Sequence, residues 1–426
     1  MRILIKNGRV IDPANQTDSV NNVFIADGKI VAVAESVADF QAEREIDATD
    51  KLVLPGLVDL SVRLREPGQE HKATIASETT AAAAAGITTL ACPPDTDPVI
   101  DTPAVARLIR QRAEHAGMSR VLTLGAATHN LGGQQLSEMG ALKEIGCIGV
   151  SNGYIAIKNP QIMKRVMEYA ATFELTLFLF SEDPSLRDKG CIHEGGISTR
   201  LGLPGIPEAA ETVAVARDLA LVADTGVRAH FCRISTAKAA QMIARAQYDG
   251  LPVTMDVSAH HLHLTDMDVG EFDSQCHVRP PLRNQRDMQG LQEAVARGSI
   301  SAICSDHQPH ERDAKLRPFR ESASGISGLE TLLPLTLRLA EAGKLRLSDA
   351  LHRVTCGPAS ILGIRAGTLD KGRAADVIVV DAEQYWTVSE NTIRSLGKNT
   401  PFMGWDLKGL IEHTLIDGKI VHSAKP

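Results

Sequence analysis

The segment VDLSVRLREPG, residues 58–68, ends an apolar run in alternating polar residues. Because side chains alternate along a strand, such an ending points two of them, here Ser61 and Arg63, into a common pocket. A carboxylate, Asp306, follows another apolar run in the segment ICSDHQPH, where two histidines come after it. Carboxylates and imidazoles can hold a metal or move a proton, whereas an arginine carries a permanent positive charge. The chemistry of the chain therefore depends on which of these side chains meet.

The middle of the chain alternates short apolar runs with helical stretches such as PEAAETVAVARDLALVAD. Buried parallel strands are typically near-continuous apolar runs, as LTLFLF is here. The predicted strands are 53–60, 87–92, 121–126, 147–150, 175–180, 227–232, 252–257 and 300–304. Eight strand–helix units predict an α/β fold of the (β/α)8 barrel type, with the chemistry at the carboxyl ends of the strands.

Both ends of the chain differ from this pattern, because short β-like runs there are separated by Asp-Gly hairpin signals at positions 27 and 417. At 426 residues the chain also exceeds the usual single core of about 250–300 residues. We therefore expect a barrel over residues 53–366 and a small β-domain formed by residues 1–52 and 367–426. Three loops are long enough to be lids or binding loops, namely roughly 181–206, 258–284 and 307–328.

The composition is that of a globular protein, with 43% hydrophobic and 23% charged residues and a formal net charge of −7. A mildly acidic chain does not favour nucleic acid or an anionic membrane as a partner, since both attract basic patches. Seven scattered cysteines without a C-x-x-C pair indicate reduced thiols. Early Lys and Arg residues, and the lack of an uncharged run near 18 residues, argue against a signal peptide and a membrane helix. We expect a cytoplasmic protein.

Motifs along nearly the whole chain carry a resemblance to a known family. In order they are IKNGRVIDP, LPGLVDL, REPGQEHK, PPDTDP, SEDPSL, HLTD, RPPLR, SDHQPH, GISGLE, GPASILG, GRAADVIVVD and KNTPFMGW. This set resembles the amidohydrolase superfamily, and within it the dihydroorotases of the bacterial long-chain type. The resemblance implies a barrel, a small β-sandwich domain built from both termini, and a site made for dihydroorotate.

The resemblance also implies where zinc would be held: a His-x-His after strand 1, an Asp after strand 4, single histidines after strands 5 and 6, and an Asp after strand 8. Only the last position is matched, by Asp306. The other positions fall on poor zinc ligands or on none, namely Ser61, Arg63, Ser151, Asn152, Phe180 and Arg233. A guanidinium about 4 Å from a dication is repelled by roughly 8 kcal/mol at an effective dielectric near 20. We therefore expect no bound zinc and a catalytically inactive chain in which Asp306 is vestigial.

The two arginines at these positions have a physical interpretation. An unpaired buried carboxylate is costly, whereas a buried ion pair need only be neutral to be tolerated. We therefore expect Arg63 or Arg233 to lie within salt-bridge distance of Asp306. The alternative is that both arginines are solvated in an open mouth.

The resemblance places the substrate carboxylate on an Arg, an Asn and a His, and Arg65 and His310 match the first and the last. The Asn falls on Asp95, which puts a negative charge where a carboxylate would bind, and a second family Asn is replaced by Arg279. We expect Arg65 to be structural, paired with Asp95, and residual substrate binding is the lesser alternative.

Other histidines and thiols leave a second metal site open. His261 and His263 stand two apart in SAHHLHL, and His230 lies near another strand end. Dihydroorotases with a similar histidine pair do not use it for zinc, so a structural role is the favoured interpretation. Cys232 and Cys304 are interpreted as small buried side chains that fill space.

The main hypothesis combines the missing ligands with a resemblance to the non-catalytic dihydroorotase-like chains that accompany aspartate transcarbamoylase in some bacteria. It predicts a cofactor-free structural or assembly subunit for the aspartate transcarbamoylase catalytic chain in pyrimidine biosynthesis, as a homodimer or a higher hetero-oligomer. The first alternative is a metal-dependent cyclic-amide hydrolase with a rearranged metal site that uses Asp306 and the surplus histidines. The second is a protein that binds carbamoyl aspartate or dihydroorotate without turnover.

Overall fold

Eight parallel strands form a barrel in the computed structural model, which describes residues 1–424. Each strand pairs with the next in chain order, so Leu177 lies opposite Ala229 and Val257 lies opposite Ile303. The barrel strands, numbered 1 to 8 below, are Leu57–Asp59, Ile87–Cys92, Arg120–Ala126, Gly149–Ser151, Thr176–Leu179, Ala229–Phe231, Val253–Ser258 and Ala302–Cys304. The predicted (β/α)8 fold is confirmed, and the carboxyl ends of the strands meet at one mouth.

The barrel closes where strand 8 meets strand 1 at the mouth. The amide of His307 donates to the Ser61 carbonyl at 3.0 Å, and the amide of Arg63 donates to the His307 carbonyl at 3.0 Å. Below them, the Asp59 carboxylate accepts the amide of Ser305 at 3.1 Å. These bonds continue the pairing beyond the strand ends, so the side chains that follow strand 1 lie beside those that follow strand 8.

The two chain ends together build a second sheet beside the barrel. Its strands are Arg2–Asp12, Thr17–Ala26, Lys29–Ala34, Arg44–Asp47, Leu52–Pro55, Val377–Thr387, Asp406–Ile416 and Lys419–Ser423. The Asp-Gly pairs at positions 27 and 417 form the predicted hairpin turns, with both residues of each pair in the left-handed region. The division into domains at residues 52 and 367 stays a prediction.

The predicted first barrel strand, 53–60, is two strands in the structure. Leu52–Pro55 pairs with strands of the terminal sheet, and only Leu57–Asp59 belongs to the barrel. Gly56 separates the two, and a Cβ at this position would come within 2.3 Å of the Thr88 side chain. The apolar run does not reveal the change of partner, because both strands are buried.

Most of the helices lie on the outside of the barrel, and two short ones belong to the first long loop. The helices are Ile75–Ala84, Pro103–Ala116, Met139–Glu144, Pro160–Thr172, Pro184–Arg187, Gly196–Leu201, Glu208–Thr225, Ala237–Tyr248, Gln285–Arg297, Leu332–Glu341, Leu347–His352 and Cys356–Leu362. In Pro160–Thr172 the Asn159 side chain caps the first turn by accepting an amide at 2.9 Å, and Met163 and Met167 are buried on one face. No helix in the described part of the chain combines the length and hydropathy that a bilayer crossing needs.

The three long loops contain short regular elements and pack at the mouth. In the first loop, Ile192–His193 pairs with Gly205–Ile206. The second and third loops are joined through Ser274 and Lys315: the Ser274 hydroxyl donates to the Lys315 carbonyl at 2.5 Å, and Lys315 Nζ donates to the Ser274 carbonyl at 3.0 Å. The first loop is therefore paired with itself, and the second and third loops are joined to each other, so none of the three is a bare connector.

Candidate functional site

A fully buried carboxylate, Asp306, stands at the centre of the barrel mouth. Its Oδ1 accepts the Ser61 hydroxyl at 3.0 Å and lies 3.3 Å from Arg63 Nη1. Its Oδ2 accepts the Tyr154 hydroxyl at 2.8 Å and the Gln308 amide at 3.0 Å. Both oxygens therefore have partners within the chain itself.

The predicted ion pair is confirmed, and the alternative of solvated arginines in an open mouth is not. Arg63 and Arg233 lie 3.3 and 3.6 Å from Asp306 and are only 4% and 5% exposed. Burial disfavours ionisation of Asp306, but the charges of Arg233 and Arg63 outweigh it and hold the pKa of this carboxyl below its ordinary value. The carboxylate is therefore ionised at neutral pH and is neutralised internally.

Tyr154 fills the space between the arginines. Its ring centroid lies 4.4 Å from Arg63 Cζ and 4.5 Å from Arg233 Cζ, and it packs edge-on against Phe180 at 4.6 Å. Burial raises the pKa of Tyr154, so its hydroxyl stays protonated and donates to Asp306. Sequence reasoning missed this residue, and its only signal was an aromatic side chain directly after the strand-4 motif GVSNG.

Ser151 and Asn152, which stand at the family's strand-4 ligand position, form hydrogen bonds with the backbone at the ends of the barrel strands. Asn152 Oδ1 accepts the Phe180 amide at 2.9 Å, and Asn152 Nδ2 donates to the Phe180 carbonyl at 3.0 Å. The Ser151 hydroxyl accepts the amide of Gly153 at 3.0 Å. These bonds fix the ends of strands 4 and 5 and leave neither side chain facing a ligand.

The predicted carboxylate-binding residues are brought together only in part. Arg65 donates to the Pro309 carbonyl at 2.9 Å, and its Nη2 lies 3.1 Å from His310 Nε2. The expected pair between Arg65 and Asp95 does not form, because Asp95 accepts Arg63 Nε at 2.7 Å instead. Burial, reinforced by Arg65, lowers the pKa of His310 to about 2, so this imidazole is neutral.

Arg279 reaches the mouth from the second long loop. It pairs with the buried Glu182 at 2.5 Å and lies 5.2 Å from the Phe180 ring and 5.7 Å from the Tyr154 ring. Its guanidinium therefore forms the outer edge of the cationic mouth.

The groups around Asp306 do not fit a zinc ion. Zinc requires several imidazole, thiolate or carboxylate donors, whereas the hydrogen-bond and ion-pair partners of Asp306 are a hydroxyl, a phenol, an amide and two guanidinium groups. Two buried donors, Arg63 Nη2 and Arg233 Nε, have no hydrogen-bond partner within residues 1–424. Such donors are satisfied by an anion or another hydrogen-bond acceptor, and a metal cation is neither.

A different group of donors lies one layer deeper in the barrel. One ligand atom each from His230, Cys232 and Asp256 fall within 4.8 Å of one another, and all three residues are buried. His230 Nε2 lies 2.9 Å from Asp256 Oδ2, and Cys304 Sγ lies 3.7 Å from Asp256 Oδ1. Burial and the Asp256 charge raise the pKa of the Cys232 thiol, so a metal would have to displace its proton.

The histidine pair of SAHHLHL is not part of this group. His261 Nε2 lies 3.2 Å from the Pro281 carbonyl, and His263 Nε2 lies 2.8 Å from the Leu335 carbonyl. Burial lowers the pKa of His263 to about 4. Both imidazoles thus bond to the backbone of neighbouring segments, as their structural interpretation predicts.

Comparisons with known proteins extend over the whole chain. The family model described as Dihydro-orotase-like matches residues 50–239. A Dihydroorotase-like protein of Pseudomonas aeruginosa is 48% identical over 422 residues, which cover 99% of this chain and 100% of the relative. A Dihydroorotase of Anaeromyxobacter dehalogenans is 45% identical, with 99% and 98% covered. The solved L-hydantoinase (dihydropyrimidinase) of Arthrobacter aurescens has the same fold, with a TM-score of 0.88 at 23% identity over 99% of this chain and 96% of that one.

The prediction that this chain is not an enzyme is wrong. Relatives named Dihydroorotase are 40–45% identical to it over at least 98% of both chains, and that name denotes an enzyme. The expectation of inactivity rested on the ligand positions at the mouth. The replacement of these ligands excludes a metal at the mouth in the family's arrangement. It does not exclude activity that uses other residues.

The prediction that zinc is absent is contradicted as well. The family that the motifs imply is typically zinc-dependent, and His230, Cys232 and Asp256 form a group that could hold a metal ion. The prediction considered ligands after strands 1, 4, 5, 6 and 8, whereas these donors lie deeper, at strands 6 and 7. Interpreting Cys232 as a side chain that only fills space overlooked its carboxylate and imidazole neighbours.

Proposed function

Because this chain belongs to the dihydroorotase-like proteins of the amidohydrolase type, we propose that it is a cyclic-amide hydrolase for dihydroorotate whose metal site is rearranged to His230, Cys232 and Asp256. The observation that supports this proposal is the donor group itself, with a nitrogen, a sulfur and an oxygen within 4.8 Å of one another. Three protein ligands with one further position is the composition of a catalytic zinc site.

The chain orients these donors through its own hydrogen bonds. Thr254 Oγ1 lies 2.8 Å from His230 Nδ1, which leaves Nε2 directed at Asp256. Asp256 Oδ1 in turn accepts the Arg233 amide at 2.5 Å. Partners of this kind fix the direction of a ligand before a metal binds. When bound, zinc supplies a water of lowered pKa and polarises an amide carbonyl.

The mouth above the cluster is suited to a negatively charged substrate. Dihydroorotate and carbamoyl aspartate carry carboxylates, and guanidinium groups bind carboxylates through paired donors. Arg63 offers a buried Nη2 that has no partner in the described chain. Arg65, beside His310, is the second candidate for the substrate carboxylate.

Metal analysis of the purified protein, together with an assay of dihydroorotate ring opening, tests the proposal. We expect zinc-dependent turnover, and we expect His230→Asn and Cys232→Ser to reduce metal affinity and activity by roughly tenfold or more. The matched control is Cys356→Ser, a half-buried thiol outside the cluster, which should change neither quantity. Protein that holds no zinc after reconstitution and does not open the ring contradicts the proposal.

We also propose that the chain associates with the aspartate transcarbamoylase catalytic chain. The supporting observation is that three large apolar side chains on the second and third long loops are exposed: Met267 by 61%, Phe272 by 48% and Leu316 by 71%. The hydrogen bonds of Ser274 and Lys315 join the two loops that carry them. We propose that these side chains contribute to one contact surface, since exposed apolar surface of that kind is typical of protein–protein contacts.

Co-purification with the aspartate transcarbamoylase catalytic chain, followed by mass measurement of the complex, tests this association. We expect Leu316→Ser and Met267→Ser to weaken it. Tyr248→Ser, at an 83% exposed position away from the loops, is the matched control. Separate elution of the two chains at micromolar concentration contradicts the proposal.

A further inference from the structure

A cationic groove of about 360 Å³ lies beside the barrel mouth. It is lined by parts of all three long loops and borders the mouth at Arg279, but Asp306 does not line it. Four basic side chains face it, namely Arg187, Lys189, Arg279 and Arg320. A concave site of this size suits a small molecule rather than a protein segment.

Little acidic charge balances this groove. Glu182, which is 5% exposed, pairs with Arg187 at 3.0 Å and with Arg279 at 2.5 Å. Lys189 and Arg320 make no ion pair or hydrogen bond within residues 1–424, and both are exposed. Asp188 is a neighbour in the chain, but it does not line the groove. Two of the four cations therefore share one carboxylate, and the other two have no acidic partner in the described chain.

The remaining polar lining is neutral. Burial and the nearby Lys315 lower the pKa of His277 to about 4, so its imidazole is uncharged at neutral pH. His277 Nδ1 lies 2.9 Å from the Ser322 hydroxyl, which fixes the ring. The positive charge of the groove thus comes from the four basic side chains alone and persists across the neutral pH range.

We propose that this groove binds a small anion with at least two negative charges, of the carboxylate or phosphate class. The four basic side chains that line the groove would contact the anion. Guanidinium groups match the paired oxygens of both classes, and an ammonium adds a point charge. The inference does not depend on the proposed hydrolase activity, because none of these residues touches Asp306 or the deeper donor group.

Such an anion would add a further link between the three long loops. Arg187 and Lys189 belong to the first long loop, Arg279 to the second and Arg320 to the third. Arg279 also lies against the Tyr154 ring at 5.7 Å, so an occupant of the groove would restrain a side chain at the mouth. Binding should therefore raise the thermal stability of the full chain.

Isothermal titration calorimetry of the full-length protein with inorganic pyrophosphate, orthophosphate and malonate, at matched ionic strength, tests the inference. We expect at least one divalent or higher anion to bind, more weakly as sodium chloride increases. The probe that binds more tightly, pyrophosphate or malonate, identifies the class. Absence of heat with all three at millimolar concentration overturns the proposal.

The double variant Lys189→Gln/Arg320→Gln locates the site, because neither side chain supports the fold through a partner. We expect its dissociation constant to rise by roughly tenfold or more. The matched control, Arg365→Gln/Lys371→Gln, removes two exposed cations elsewhere and should stay within about twofold of the unmodified protein. Equal affinity in the unmodified protein and the Lys189/Arg320 variant overturns the assignment. If the double variant fails to fold, Arg320→Gln alone is measured against Arg365→Gln by the same criterion.

Discussion

Two layers of the barrel interior treat their buried carboxylates differently. The mouth layer consists of Ser61, Arg63, Tyr154, Arg233 and Asp306, and the inner layer consists of Asp59, His230, Cys232, Asp256 and Cys304. In the mouth layer, both oxygens of Asp306 have partners and two guanidinium groups keep it ionised. In the inner layer, Asp59 Oδ1 accepts two backbone amides, but its Oδ2 has no partner among residues 1–424, and burial raises its pKa to about 6.

The difference between the layers is that only the mouth layer contains positively charged side chains. The mouth layer is neutralised by the chain itself. The inner layer retains two carboxylates, two thiols and an imidazole, with no guanidinium among them. The mouth layer would therefore repel a cation more strongly than the inner layer, which is the physical basis for the proposed metal on His230, Cys232 and Asp256.

The largest expected effect comes from removing a cation of the mouth layer. Arg63→Met removes a guanidinium group that lies 3.3 Å from Asp306 and 2.7 Å from Asp95. Breaking a buried ion pair on one side costs about 3–5 kcal/mol, and urea denaturation at pH 7 measures this loss in the free energy of unfolding. The same substitution in an Asp306→Asn background should cost clearly less. Equal losses in both backgrounds would show that Arg63 does not act through this carboxylate.

An intermediate effect on the free energy of unfolding is expected for Asp59→Asn. Urea denaturation at several pH values measures it and so tests the difference between the two layers. The folded-state pKa of Asp59 is raised from 3.8 to about 6, so ionisation weakens the folded state as pH rises through this interval. Relative to the unmodified protein, the variant should gain stability between pH 4 and pH 7, by up to roughly 3 kcal/mol.

For Asp306→Asn, the change in the free energy of unfolding with pH should have the opposite sign. The folded-state pKa of Asp306 is lowered, so its stabilising contribution is present above the ordinary carboxyl pKa and is lost as pH falls below it. Asp306→Asn should therefore lose stability relative to the unmodified protein at pH 7 and less at pH 3. Slopes of the same sign for both variants would remove the distinction between the layers.

The smallest effect is expected for Tyr154→Phe, which keeps the ring between the arginines and removes only the hydroxyl. The hydroxyl donates to Asp306 at 2.8 Å and accepts from Gln308 at 2.9 Å. Its loss should cost about 1–3 kcal/mol, less than Arg63→Met because the ion pairs remain. Tyr169→Phe is the matched control, since the Tyr169 hydroxyl makes no hydrogen bond in the described chain. A comparable loss in the control would show that the hydroxyl of Tyr154 has no special role.

The sequence predicts most of the barrel because buried parallel strands have a direct signature. The run 87–92 is a strand with the same bounds, Ile87–Cys92. The run 53–60 misleads, because burial makes a sheet strand and a barrel strand alike in sequence. Whether an apolar residue faces one sheet or the next is decided by long-range packing, here by the close approach of Thr88 to Gly56.

The sequence predicts side-chain contacts at the mouth only where a motif fixes the positions of both residues on the strand ends. The pairing of Arg63 with Asp306 follows from matched strand ends, but the choice of Asp95 as a second partner depends on side-chain reach. Tyr154 comes from a loop whose path no pattern specifies.

For the inner group of His230, Cys232 and Asp256, the overlooked sequence signal was the spacing of His230 and Cys232. His230 lies on strand 6 and Cys232 directly follows it, so the two side chains share one face of the sheet, and Phe231 lies opposite Met255 on strand 7. Asp256 is therefore level with Cys232, although the sequence alone does not give this register.

A single residue, Gly56, carries the chain from the terminal sheet into the barrel. Further ties join the two parts, among them the Thr414 hydroxyl on the Ala83 carbonyl at 2.7 Å and the pair of Arg120 with Asp376 at 2.6 Å. These ties leave little freedom for the terminal sheet to move against the barrel. We therefore expect the two parts to unfold in one cooperative transition under heat or denaturant.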